Sequence, residues 1–253
     1  MRFGICQPPE QAAALEAAGW DFVEGNVQSL LRGQSADFTP PAVTPIPLPV
    51  CNGLVPGSIP LVGPAVDRGV IRAYMKNVLE RAGRMGIDTL VFGSGAARKV
   101  PDGFDRSQAE EQIRTFLSET APVAQQNKVT IVIEPLTKGE TNIITNVAEA
   151  MTYVKAVDHP AIQCLVDSYH FWLENEPLGN LEAAMPWIKH VHVADTEGRV
   201  APGISGKSDY KPFFAVIKRG GYDARISVEC GGWDTAKHAR PVLAFLRDQW
   251  NAA

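Results

Sequence analysis

Short apolar, β-branched runs alternate with amphipathic stretches along the whole chain. The runs are FGIC (3–6), DFVEG (21–25), PVCNG (49–53), TLVFG (89–93), VTIVIE (129–134), IQCLVD (162–167), KHVHV (189–193) and ISVE (226–229). Each has strand length and composition. Between them the hydrophobic period changes to three and four residues. In 66–86 the positions Ile71, Met75, Val78, Ala82 and Met85 share one face, with Arg72, Lys76, Glu80 and Arg84 between them, as an amphipathic helix requires. The same period runs through 105–127, 145–157 and 234–250. Ser107 followed three residues later by Glu110 reads as a capping box, and Pro241 as an early-turn or kinking residue of the last helix. Eight strands, each followed by a crossover, predict an α/β fold: a (β/α)8 TIM barrel spanning 1–253 as a single domain, with an open doubly wound sheet as the alternative. Residues 40–64 break the rhythm, holding eight of the nineteen prolines. They are either a structural connection or a wall of the barrel mouth.

Composition adds exclusions. A formal net charge of −4 and a pI near 5.8 argue against a nucleic-acid or anionic-membrane surface, and for a small-molecule partner. The start of the chain carries no secretory pattern and no apolar run reaches about 18 residues, so a cytoplasmic protein is expected, with no membrane partner; association into a homo-oligomer stays open. Cys6, Cys51, Cys164 and Cys230 are widely spaced and form no CxxC pair, which predicts buried free thiols.

The strand ends carry the chemistry. In a parallel strand buried on both faces, charge is tolerable only where the strand meets the pocket. Glu134, Asp167, His192 and Glu229 close four apolar runs, and a barrel gathers all such ends at one mouth. Three carboxylates drawn together repel one another unless a cation neutralises them. The donor set is hard and mostly oxygen, which suits a divalent metal: Mn²⁺ first, then Mg²⁺ or Co²⁺, with Zn²⁺ as a further candidate. His190 is the alternative imidazole ligand, although His192 lies nearer the mouth.

The series IVIEPLTKGETN, LVDSYHFW, KHVHVADTEGRVAPG and ISVEC resembles the sugar phosphate isomerase/epimerase family of xylose isomerase-like barrels. That family includes ketose 3-epimerases, hydroxypyruvate isomerase, inosose dehydratases and, more distantly, endonuclease IV. The resemblance covers 129–230 and implies a metal held by Glu134, Asp167, His192 and Glu229, the two glutamates serving also as catalytic acid and base. It further implies substrate contacts from His170, Glu140 and Arg199. The expected activity is isomerisation or epimerisation of a small carbohydrate or hydroxy-carbonyl compound through an enediolate. A dehydratase or lyase acting on a keto-sugar or keto-cyclitol is the alternative; a DNA repair enzyme or a non-catalytic sugar-binding barrel stands further off. Trp172 and Trp233 read as pocket walls or packing residues, and Lys207 and Lys211 as an anion site or a solvated turn.

Overall fold

The computed structural model describes residues 1–253. All eight apolar runs form strands: β1 (Arg2–Cys6), β2 (Phe22–Asn26), β3 (Val50–Asn52), β4 (Thr89–Phe92), β5 (Thr130–Ile133), β6 (Ile162–Asp167), β7 (Ile188–Val193) and β8 (Arg225–Val228). Each pairs in parallel with its sequence neighbour, and β1 pairs with β8 through Phe3↔Ile226 and Ile5↔Val228. That last pairing closes the barrel and removes the open doubly wound alternative.

Ten helices connect the strands: α1 (Ala12–Ala18), α2 (Val27–Leu30), α3 (Arg68–Met85), α4 (Gly95–Arg98), α5 (Arg106–Gln126), α6 (Val147–Val157), α7 (Ser168–Leu173), α8 (Leu178–Ala184), α9 (Lys211–Arg219) and α10 (Thr235–Ala252). Asp67 caps α3 by accepting from the N–H groups of Gly69 and Val70, and Gly86 ends it in the left-handed region at φ 73°, where glycine carries no Cβ penalty. The cap of α5 differs from the expected one. Asp105 is extended and accepts from Gln108 N–H, whereas Ser107 already lies inside the helix and Glu110 pairs with Arg106 at 3.1 Å. The carboxylate of Asp105 answers both the free N–H and the helix dipole, so it takes the capping position. Pro241 sits inside α10.

Side chains alternate between the barrel interior and the helical layer. Phe22, Val50, Val91, Val132 and Leu165 meet as one buried cluster, below the polar ends of their strands. The opposite faces pack with α1, α3, α5, α6, α9 and α10 into the main core. Within the proline-rich segment, Pro47 O accepts from Val23 N–H at 2.9 Å and Pro49 O from Asp88 N–H at 2.9 Å. Leu54, Ile59 and Leu61 are buried, so much of 40–64 is packed connection.

The interior has no spare room at β1. A Cβ on Gly4 would stand 2.2 Å from the ring of Phe22. Gly4→Ala is therefore expected to cost about 1–3 kcal/mol by overpacking, and adding Phe22→Leu should recover part of the loss. Urea unfolding of both variants checks this; an unaltered midpoint for Gly4→Ala would contradict it.

Candidate metal and substrate site

Lateral register assembles the site. Asp167 on β6 stands beside His192 on β7, which stands beside Ser227 on β8. Glu134 and Glu229 follow β5 and β8 directly, anchored by Glu134 N–H to Phe92 O at 3.2 Å and Glu229 N–H to Val193 O at 3.1 Å. The ligand-capable atoms of Glu134, Asp167, His192 and Glu229 all lie within 4.8 Å of one another. His192 Nδ1 is 3.0 Å from Glu134 Oε1 and 3.6 Å from Glu229 Oε2. Gly93 makes space for this cluster, since a Cβ there would stand 2.4 Å from Glu134 Oε2.

Burial sets the electrostatics. Asp167 is raised to about 7, by burial first and then by Glu134. Glu134 is also raised, by burial and by Glu229. Burial would raise Glu229 too, but His192 and Arg199 outweigh it and hold that carboxylate down at about 2. His192 is raised well above its ordinary value: burial opposes the charge, but Glu24, Glu229 and Glu134 together overcome it.

The three other expected residues stand over this cluster. His170, on α7, is buried; its Nδ1 accepts from Thr137 N–H at 3.1 Å, and its Nε2 lies 3.3 Å from Arg199 Nη2. Burial and then Arg199 lower His170 to about 3, so the ring is neutral. Arg199 donates to Glu140 Oε1 at 3.2 Å and to Glu229 Oε2 at 2.6 Å, with its guanidinium 4.8 Å above the Tyr169 ring. All seven expected residues thus meet at one mouth.

The donors suit a divalent cation. Asp167 Oδ1 caps α7 by accepting from Tyr169 N–H, while Asp167 Oδ2 is buried with no hydrogen-bond partner. Its nearest cation is Arg199 Nη2 at 3.6 Å, too far for a hydrogen bond, so the oxygen is free to ligate.

The model of the family described as Xylose isomerase-like TIM barrel matches residues 12–249. The chain belongs to that family. It is 28% identical over 146 residues to the 3-dehydro-D-guloside 4-epimerase of Escherichia coli (strain K12), a match covering 56% of this chain and 53% of that one. It is 24% identical over 211 residues to the D-psicose 3-epimerase of Agrobacterium fabrum, covering 72% and 71%. The chain spans little more than half the length of the first of these relatives. The crystal structure of a 3-keto-D-glucoside 4-epimerase from E. coli shares the fold at a TM-score of 0.81 and 20% identity, over 98% of this chain and 99% of that one.

In this xylose isomerase-like barrel several site residues go beyond the expected set. Glu24 is buried on β2 and accepts from His190 Nε2 at 2.8 Å and His192 Nε2 at 3.0 Å. Burial would raise it, but the two imidazoles hold it below the usual carboxylate range. The contact fixes His192 with its proton on Nε2 and Nδ1 toward the cluster, as a ligating imidazole needs. The signal was present in DFVEG, an acidic residue in an apolar run. His190 is an interior histidine, with Ser227 Oγ 3.2 Å from its Nε2. Arg98, wholly buried, donates to Phe92 O, Glu134 O and Ile144 O and so ties together the ends of β4 and β5. Asn52 donates to Glu229 Oε1 at 2.8 Å. Asp195 accepts from Gly203 N–H, Ser205 N–H and Tyr210 Oη–H, which braces the loop carrying Arg199.

Trp172 packs on Tyr210 and Phe213, and Trp233 on Trp20, so both take part in aromatic clusters. Lys207 is paired with Glu197. The four cysteines are free; Cys51 and Cys164 are buried, whereas Cys6 and Cys230 are only half-buried. No helix is long and apolar enough to cross a membrane.

Two predictions follow from this electrostatic arrangement. Asp167 and His192 must shed protons to ligate, so metal affinity should rise with pH, by about tenfold per unit below pH 7 for the Asp167 proton alone. Calorimetric titration with Mn²⁺ from pH 5 to 8 tests it, and a flat profile would refute it. Glu24→Gln should weaken Mn²⁺ binding about 10–100-fold with the circular dichroism spectrum unchanged; wild-type affinity would remove Glu24 from this role.

Proposed function

We propose that the protein is a divalent-metal-dependent isomerase or epimerase acting on a small carbohydrate or hydroxy-carbonyl compound. The observation that carries this reading is the convergence of Glu134, Asp167, His192 and Glu229, with Asp167 Oδ2 making no hydrogen bond. The names of the relatives, epimerases of keto-sugars among them, support it.

Glu134, Asp167, His192 and Glu229 hold the metal, with Mn²⁺ preferred over Mg²⁺, Co²⁺ or Zn²⁺ by the hard oxygen-rich set. Such a cation supplies charge stabilisation to the substrate oxygens as the carbon beside the carbonyl loses its proton. The two glutamates divide the proton work: one removes the proton from the carbon beside the carbonyl, and the other, reprotonated from solvent, returns one. Delivery to the opposite face of the same carbon gives an epimer, and delivery to the neighbouring carbon gives aldose–ketose isomerisation. His170, Glu140 and Arg199 orient substrate hydroxyls.

The test is proton NMR of the metal-loaded protein in D₂O with ketoses, ketose phosphates, hydroxypyruvate and keto-cyclitols. Deuterium uptake beside the carbonyl together with a new epimer or isomer is expected; uptake with loss of water would move the protein to the lyases, and bound metal with no exchange would overturn the reading. Glu134→Gln and Glu229→Gln should each lower exchange by on the order of 10²–10⁴ in a barrel that still folds. Chelation should abolish exchange and Mn²⁺ restore it.

A further inference from the structure

Cys6 is the last residue of β1 and stands in register beside Glu24 of β2, so the two side chains leave their strands on the same face. Cys6, Glu24 and His192 each offer a ligand-capable atom within 4.8 Å of the other two. This second set touches the first only through His192. Glu24 Oε1 lies 3.0 Å from Nε2 of that ring, and Glu134 Oε1 lies 3.0 Å from Nδ1. Glu24 is also held from behind: its Oε2 accepts from His190 Nε2 at 2.8 Å, so Oε1 can change partner without losing its anchor. Cys6 and Glu24 both line an open cavity of about 570 Å³, which gives a hydrated ion a way in and a water a place to remain.

The two sets differ in kind. Glu134, Asp167, Glu229 and His192 are mostly oxygen, whereas Cys6, Glu24 and His192 supply one sulfur, one oxygen and one nitrogen. Three such protein ligands with a fourth position open to water are the composition of a zinc site, and a thiolate favours Zn²⁺ over Mn²⁺ or Mg²⁺. Oxygen and nitrogen donors at about 2.0–2.2 Å from a tetrahedral ion stand roughly 3.3 Å apart, close to the separation of Glu24 Oε1 and His192 Nε2. The carboxylates that disfavour a bare thiolate at Cys6 attract a cation, and a coordinating thiol gives up its proton.

We propose that Cys6, Glu24 and His192 form a second cation site, selective for Zn²⁺ and mutually exclusive with the first. A neutral imidazole has one lone pair, so His192 ligates through Nδ1 or through Nε2, never both. When Zn²⁺ takes Nε2, the Cys6 thiol releases its proton to solvent and the His192 proton moves from Nε2 to Nδ1, where Glu134 Oε1 accepts the N–H. The first set then loses its imidazole and releases its cation. Zn²⁺ is thereby an inhibitor that acts by turning the tautomer of one shared ring. The proposal rests on the metal-dependent reading only for the cation displaced; the thiolate site is read independently.

Cd²⁺ serves as the probe, because its bond to a thiolate gives an ultraviolet charge-transfer absorbance. It is titrated into the Mn²⁺-loaded protein while electron paramagnetic resonance follows free Mn²⁺. A single absorbance step is expected, with Mn²⁺ released in parallel. Cys6→Ser should lose the absorbance, bind Mn²⁺ as the wild type does, and need at least tenfold more Cd²⁺ to release it; Cys230→Ser should behave as the wild type. No absorbance in the wild type, an absorbance that survives Cys6→Ser, or one that grows while Mn²⁺ stays bound would overturn the proposal. If the protein binds no Mn²⁺, the metal-dependent reading fails and the Cd²⁺ titration still decides the second site. An absorbance lost in Cys6→Ser and kept in Cys230→Ser then supports it, and any other pattern overturns it.

Discussion

Four carboxylates, Glu24, Glu134, Asp167 and Glu229, are drawn into one barrel mouth, and the surrounding structure is organised by the need to balance them. Like charges this close, away from water, interact far more strongly than at a surface, so each has a counterweight. Glu24 faces two imidazoles, Glu229 the Arg199 guanidinium, and Glu134 lies near the buried Arg98 cation, which is lowered by its burial only to about 10 and stays charged at neutral pH. Asp167 keeps one oxygen without a hydrogen-bond partner, 3.6 Å from the Arg199 guanidinium that Glu229 also engages. One arginine thus serves two carboxylates where four donors converge.

His192 is the joint of this arrangement. One ring nitrogen meets Glu24 on β2 and the other meets Glu134 after β5, so a single imidazole connects opposite parts of the barrel wall. Its orientation is determined by tertiary pairing across 168 residues of sequence. Small residues serve the same geometry by their lack of bulk, as Gly93 does beside Glu134.

This division explains what could be read from sequence. The strands were legible because a parallel barrel strand is buried on both faces and writes itself as an apolar run. Glu134, Asp167 and Glu229 were legible because charge survives only at the ends of such runs. Glu24 escaped because it lies within β2, facing inward, and its justification is two histidines on β7. Arg98 escaped because its partners are backbone carbonyls, which leave no mark on residue identity. Ser107 and Asp105 show the local limit: both are good capping residues, and the helix start was settled by which one stood in extended backbone.

The thiols beside the mouth experience the same negative field. Cys6 is pushed well above its ordinary value, by burial first and then by Glu24, Glu229 and Glu134, and burial together with Glu229 raises Cys230 to about 12. Since the thiolate is the reactive form, the carboxylates that crowd the mouth also hold its two half-buried thiols toward the less reactive, protonated form.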